Sequence, residues 1–328
     1  MKKFLITIAS FGVLLLLMCI IIEVALLFRP NIYAYKKHYM DQHYREIKVL
    51  LLGSSHIEEA VKPELIGKGT FNLAISARLV EYDAALAEMY VSKMDCLQVL
   101  VMSIDYTNFF FERQYFNPKS THVGENLSTT CRCMHTKYMG MREDPFWYWS
   151  EIFNSKLNYM SRFWNSNEKL QECDSLGYVK LEIENRLPDW EYKAIPALVD
   201  TSKTIDSEAY AHIWDIYERL AKQAQKKGAR LILITPPVYK TYQEAINPIV
   251  LNDMHQFAEK LHAKYPCVEY HEYLFNDNFL PDDFNDSSHL TESGAIKFSK
   301  MLSNIINNDV KEKSHSMAHI RKLSSNIQ

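Results

Sequence analysis

Val49-Leu50-Leu51-Leu52-Gly53-Ser54-Ser55-His56 joins four apolar residues to a glycine, two hydroxyls and a histidine. An apolar run this short, bounded by a turn signal, fits a fully buried strand. The residues that follow, Ile57 to Ile66, read as helix. Strand, glycine turn and helix start together aim a serine hydroxyl at the carboxyl edge of a sheet. Unpaired backbone N–H groups at a helix start point at whatever sits there. That is the arrangement a serine nucleophile needs. A serine after a strand is also a good helix N-cap, so this stretch alone leaves both roles open.

Moving outward, the pattern repeats. Phe71-Asn72-Leu73-Ala74-Ile75 reads as a second short strand, Leu79 to Met94 as a helix with one apolar face, and Leu97 to Ile104 as a third buried strand. Strand and helix alternate, which argues for a parallel sheet with helices on both faces. From Phe109 to about Asp206 no period holds, and aromatics cluster at Phe109–Phe111, Phe146–Trp149 and Phe163–Trp164. That stretch reads as a helical insertion with an aromatic core, or as a lid able to stack on sugar rings. Alternation then resumes. Ser207–Lys227 is an amphipathic helix capped by Gly228, Arg230–Thr235 a buried strand, Asn252–Lys264 a helix, Cys267–Tyr273 a strand and Leu290–Asn308 the last helix. The expected fold is a three-layer α/β domain of five parallel strands.

Upstream, Phe4 to Ile22 contains no charge. Its nineteen residues span about 28 Å as helix, close to the hydrocarbon thickness of a bilayer. A cleaved signal peptide and an uncleaved anchor compete here. The run is longer than a usual signal-peptide core and lacks a small-x-small cleavage site, which favours an anchor. Lysines before it and a long domain after it put the bulk of the chain outside the cytoplasm. The expected organisation is an anchor over 1–28, a stalk over 29–47, the α/β domain over 48–310 with its insertion at 109–206, and a disordered tail over 311–328.

The 328 residues are 47% hydrophobic and 23% charged, with net charge −3. No field draws such a chain to nucleic acid, and no basic cluster interleaves with aromatics. Of six cysteines, Cys131 and Cys133 are spaced too tightly for a usual zinc knuckle, and no second pair accompanies them. No metal and no cofactor is expected. An oxidising compartment permits one or two disulfides, with no pairing chosen by the sequence.

The candidate site residues collect on one edge of the expected sheet, where open α/β sheets bind ligands. Ser55 follows strand one, Ser76-Ala77 strand two, Asp105 and Asn108 strand three, and Asp286 and His289 strand five. Asp286-Ser287-Ser288-His289 is a turn composition before a helix, which a plain loop would also show. Its chemical reading is a carboxylate on one imidazole nitrogen, fixing the tautomer, with the other nitrogen facing a serine as general base.

These blocks resemble the SGNH, or GDSL-like, serine hydrolases. Gly53-Ser54-Ser55-His56 is similar to the first block, with Ser55 at the nucleophile position and Ser54 where aspartate is usual. Asp286-x-x-His289 is similar to the last. Asn72 to Ala77 resembles the second, Asn-x-Gly-x-x-Gly, with Ala74 and Ala77 in place of glycines. Ser103-Ile104-Asp105-Tyr106 occupies the third, where Asp105 replaces an asparagine. The resemblance covers 48–108 and 207–305. It implies a Ser55–His289–Asp286 triad, with oxyanion contacts from the N–H of Ser55 and Ala77 and from Asn108. Asp105, at the asparagine's place, would repel an oxyanion unless protonated. With the anchor, the chain is similar to a branch that includes the D-alanine transfer protein of teichoic-acid modification and the alginate O-acetylation proteins. That implies acyl transfer to, or removal from, a cell-envelope glycan, often beside a membrane-bound O-acyltransferase. The alternative is a non-catalytic scaffold of the same fold that assists such an enzyme.

Overall fold

The computed structural model describes residues 1–27, 30–105, 134–135, 137–140, 173–193, 195 and 207–307. Asn108, the clustered aromatics at 109–111, 146–149 and 163–164, Cys131, Cys133 and the tail from 311 lie outside the described residues.

The chain divides into two compact units. One comprises Met1–Gln42 and Pro118–Glu172. Its first helix, α1 (Lys2–Leu27), is apolar and long enough to cross a membrane. Twenty-six residues at helical rise reach about 39 Å. The expected stalk is helical over α2 (Ile32–His43), as the absence of glycine and serine runs allows. In this unit Glu23 pairs with Lys137 at 3.4 Å, and His135 packs edge-on against Tyr33.

The other unit, His43–Asn117 with Cys173–Gln328, holds a five-stranded parallel sheet. Its strands are β1 (Val49–Leu52), β2 (Thr70–Asn72), β3 (Val99–Ser103), β4 (Arg230–Thr235) and β5 (Val268–Glu272). They lie in the order β2-β1-β3-β4-β5. Strands β1, β3 and β4 are buried on both faces, which is why they read as unbroken apolar runs rather than alternating ones. Edge strand β5 carries Glu269, His271 and Glu272 instead.

Successive side chains point to opposite faces. Val49, Leu51, Val99, Val101, Ile232 and Ile234 share a core with Phe298, Leu302 and Ile306 of the last helix, residues 292–307. The opposite face is covered by helices at Val80–Tyr90, Ser207–Lys227 and Pro248–Lys264, where Tyr217 meets Phe257 edge-on. The three expected layers are all present.

The helix expected from Ile57 to Ile66 is instead two short ones, α3 (Ser55–Glu58) and α4 (Pro63–Ile66). Pro63 has no N–H to continue a helix and opens α4 as its first residue. Lys62 before it is extended, as a residue preceding proline prefers. The break leaves carbonyls to satisfy, and Asn72 satisfies them. Its side chain is fully buried, donates to Ile57 O and Val61 O at 3.0 Å, and accepts from Ala74 N at 3.1 Å. Asn72→Ala is therefore expected to lower stability by about 3 kcal/mol, from several buried polar groups losing partners at once. Urea unfolding of the two proteins checks this.

Candidate active site

Strand order reverses between β1 and β3, and sheets of this kind bind ligands outside the carboxyl ends at such a point. Gly53 makes the turn out of β1 at φ +134°, a region side chains rarely adopt. A Cβ there would also lie 2.7 Å from Ser103 Oγ and 2.9 Å from Ile57 Cγ1. Only glycine lets the chain turn this close to β3. Ser55 then becomes the first residue of α3, with Ser54 as its extended N-cap residue. The Ser54 side chain does not cap the helix, so the plain capping role is not what holds these serines.

The turn is clamped from the far side. Gly53 N donates to Asp83 Oδ1 at 3.1 Å, and Arg78 Nη1 donates to the same oxygen at 3.1 Å and to Leu73 O at 2.7 Å. Burial raises the Asp83 carboxyl to about 6, against the pull of Arg78. One buried carboxylate thus fixes the serine turn and the loop after β2 together. Ile75 N donating to Gly53 O at 3.1 Å adds a direct tie.

Residues 284–290 form a closed loop. Phe284 and Leu290 pair as an antiparallel bridge, and Asn285 N donates to His289 O at 2.8 Å. Asp286 points inside it. Its Oδ1 accepts from Ser288 N at 2.8 Å and His289 N at 2.9 Å, and Nδ1 of His289 sits 2.9 Å from Oδ2. Burial opposes its ionisation, but His289 and the two backbone donors outweigh this and hold the carboxyl well below its usual range. An ionised carboxylate only accepts, so Nδ1 of His289 carries the proton. In the neutral ring the other nitrogen, Nε2, is left with a lone pair, 2.8 Å from Ser55 Oγ. Ser55, His289 and Asp286, read from two distant blocks, form one hydrogen-bonded line.

Burial lowers the His289 imidazole, but the Asp286 hydrogen bond and the charges of Glu59 and Asp286 prevail and raise it to about 9, with Lys193 opposing. Glu59 is a buried carboxyl one turn beyond Ser55. It and buried Glu58 both meet the Ser76 hydroxyl, at 2.9 and 2.6 Å. Burial pushes Glu59 up, while the His289 charge pulls it back.

The loop after β2 places Ala77 at φ +58°. Among the described residues it is the one non-glycine at positive φ. Its N–H has no hydrogen-bond partner among the described residues, and neither has that of Ser55. An alanine here holds a backbone conformation that ordinarily calls for glycine. Ala77→Gly is expected to raise stability by about 0.5 kcal/mol, and Ala77→Val to lower it by about 1–2 kcal/mol, by relief or increase of left-handed strain. Thermal melts of both variants test the pair.

Asp105 does not stand open as an oxyanion contact. Its Oδ1 lies 2.9 Å from Nδ1 of His56, and Ser54 Oγ donates to its Oδ2 at 3.4 Å. His56 was the last residue of the deciding stretch, yet nothing in its spacing assigned it a partner. An aspartate directly after a buried strand was the signal available, since a buried carboxylate demands a cation or donors. Glu58 and Glu59 leave only a faint trace in the sequence, as two adjacent acids shortly after the serine block. Residues 173–193, assigned to the insertion, fold with the sheet unit. Val179 N donates to Glu58 O, Glu292 N to Leu181 O, and Arg186 to Pro281 O and Phe284 O. Trp190 lies between Arg186 and Tyr239. This segment brings the Lys193 charge within reach of His289.

No family model matches the chain, and no curated protein matches it. Among solved structures, the chain is similar to a provisionally named platelet activating factor from Streptococcus pneumonia. That match has 12% identity over 90% of this chain and 99% of that one, with a TM-score of 0.44. It is also similar to a provisionally named acylhydrolase from Bacteroides fragilis, at 10% identity over 83% and 95% of the two chains, with a TM-score of 0.39. Likeness at this level carries no argument about chemistry.

Proposed function

We propose that the chain is a membrane-anchored serine acyltransferase or esterase, acting outside the cytoplasm on acyl groups of a cell-envelope glycan. The observation that carries this reading is the Ser55–His289–Asp286 line, with Nε2 of His289 at 2.8 Å from Ser55 Oγ. Serine, base and orienter act as a unit. A scaffold has no need of all three in register at a sheet's switch point. The apolar helix α1 supports the anchor, and an anchor keeps the site beside membrane-borne acyl donors. The resemblance to the SGNH branch supports the acyl group, the glycan and a membrane-bound O-acyltransferase as partner.

In this reading Ser55 Oγ bonds to the acyl carbon and gives its proton to His289 Nε2, and the bond from acyl carbon to the donor's oxygen breaks, that oxygen leaving with a proton from the site. The N–H groups of Ser55 and Ala77 receive the developing oxyanion. Asn108 remains a proposed third donor, and Asp105 is not one. The acyl group then passes from Ser55 to water or a glycan hydroxyl. The test compares envelope-glycan acylation in cells carrying the wild type, Ser55→Ala or His289→Ala at equal protein levels. Loss in both variants supports the enzyme. Wild-type acylation in both, with loss only on deletion, makes the protein a scaffold.

A base works in its neutral form, and His289 titrates at about 9. Ester hydrolysis is therefore expected to rise with pH through about 9 rather than near the ordinary histidine value. Glu59→Gln removes a negative charge beside the ring and is expected to move that limb to lower pH. Lys193→Met is expected to move it higher. A kcat/KM profile for p-nitrophenyl acetate reads both shifts.

A further inference from the structure

We propose that His56, oriented by Asp105, is a second general base and acid at Ser55, serving the exchanged oxygen while His289 serves the serine. The proposal rests on the acyl-transfer reading above and divides its proton traffic between two rings.

The two histidine–carboxylate pairs are built alike. Nδ1 of His56 lies 2.9 Å from Asp105 Oδ1, as Nδ1 of His289 lies 2.9 Å from Asp286 Oδ2. Asp105 is buried, and the strand end that carries it is pinned by Ile104 N to Ile234 O at 2.9 Å and by Thr235 Oγ1 to Ile104 O at 2.8 Å. An ionised carboxylate accepts only, so Nδ1 of His56 carries a proton and Nε2 is the nitrogen free to take or give one. Among the described residues Nε2 of His56 makes no hydrogen bond and is not a buried orphan atom. A carboxylate holding one ring nitrogen, with the other free beside a nucleophile, is the arrangement of a general base.

The rings of His56 and His289 are 5.2 Å apart between centroids. Two imidazolium charges at that separation repel, so the pair favours holding one proton between them. His289 faces Asp286, Glu59 and Lys193, and His56 faces Asp105. The proposed reacting form has His289 neutral as the base, with the pair's one proton on His56 as the acid. Ser55 Oγ bonds to the acyl carbon and its proton passes to His289 Nε2. The bond from acyl carbon to leaving oxygen breaks, and that oxygen takes the proton of His56 Nε2. The acyl-serine now stands with His289 charged and His56 neutral. An acceptor hydroxyl gives its proton to His56 Nε2 as its oxygen bonds to the acyl carbon. The bond from acyl carbon to Ser55 Oγ breaks, and Oγ recovers its proton from His289. Both rings end as they began, and no proton is lost. The arrangement also gives the charged state of His289 a use, as the acid that releases Ser55.

A leaving-group comparison tests the division of labour. Full-length wild type and His56→Gln, in detergent, are assayed with p-nitrophenyl acetate, whose leaving group needs no acid, and with ethyl acetate, whose leaving group does. His56→Gln is expected to acylate with p-nitrophenyl acetate within about threefold of wild type and to lose about 100-fold or more on ethyl acetate. Acyl-Ser55 should also accumulate in the variant, visible by mass spectrometry, because its second step lacks a base. Asp105→Asn is expected to show the same pattern more weakly. An equal fall on both esters would make His56 a structural or oxyanion group and overturn the proposal. No change on either ester, or no accumulation of acyl-enzyme, would overturn it as well. If p-nitrophenyl acetate leaves wild-type Ser55 unacylated, the acyl-transfer reading itself falls, an outcome distinct from a silent His56.

Discussion

Ser55→Ala is expected to lower acyl transfer by about 10⁴- to 10⁶-fold while barely moving the melting temperature. In the proposed reaction this hydroxyl forms the bond to the acyl carbon, and it is the one that lies 2.8 Å from Nε2 of His289. Ser54 is adjacent, but its Oγ faces Asp105 at 3.4 Å rather than His289. Removing the Ser55 hydroxyl opens no core cavity, because Ser55 and His289 are both only half-buried. A fluorophosphonate probe provides the measurement. It should label the wild type, leave Ser55→Ala blank, and still label Ser54→Ala. Labelling that survives in Ser55→Ala and vanishes in Ser54→Ala would reverse the assignment.

Asp286→Asn is expected to lower kcat by about 10⁴-fold, through the wrong tautomer rather than a lost contact. The N–H groups of Ser288 and His289 need an acceptor at Oδ1, at 2.8 and 2.9 Å. An asparagine that keeps its oxygen there turns its NH₂ toward Nδ1 of His289. Nδ1 must then accept, so the ring proton moves to Nε2. A protonated Nε2 cannot take the Ser55 proton. The same carboxylate makes an acid-stability prediction. Its folded pKa lies below the ordinary aspartate value, so its stabilising contribution is present above that range and lost as pH falls through the folded value. The asparagine variant should therefore lose less stability than wild type between neutral and acid pH, as urea unfolding at each pH would show.

Much of this was legible because buried parallel strands write themselves as apolar runs. Arg230–Thr235 has the bounds its composition suggests, and β1 and β3 are each within two residues of theirs. The triad was legible because its members sit directly after strand ends, in turns whose composition marks them. His56 and Asp105 were not, because their pairing spans two strands and depends on which strands are neighbours. Composition reveals that β1 and β3 exist, and only the sheet order places their ends side by side. The break of the expected helix at Lys62 was legible in Pro63, yet its compensation by a buried asparagine from β2 was a tertiary fact. Ala77 was legible as a departure from glycine, but not as an alanine held at the glycine's φ.

The serine and its base lie 234 residues apart along the chain. A ribosome adding about 5–20 residues per second emits His289 roughly 10 to 50 seconds after Ser55. Strands β3, β4 and β5 are made one after another within that interval, and until its end Ser55 Oγ lacks the His289 imidazole that takes its proton. On the proposed reading the nascent protein is thus silent toward acyl donors until its last helix is about to be synthesised. A fragment from a stalled or prematurely released chain ending before residue 289 lacks that base, whatever else it manages to fold. Competence then arrives in one late event, after all five strands have been made.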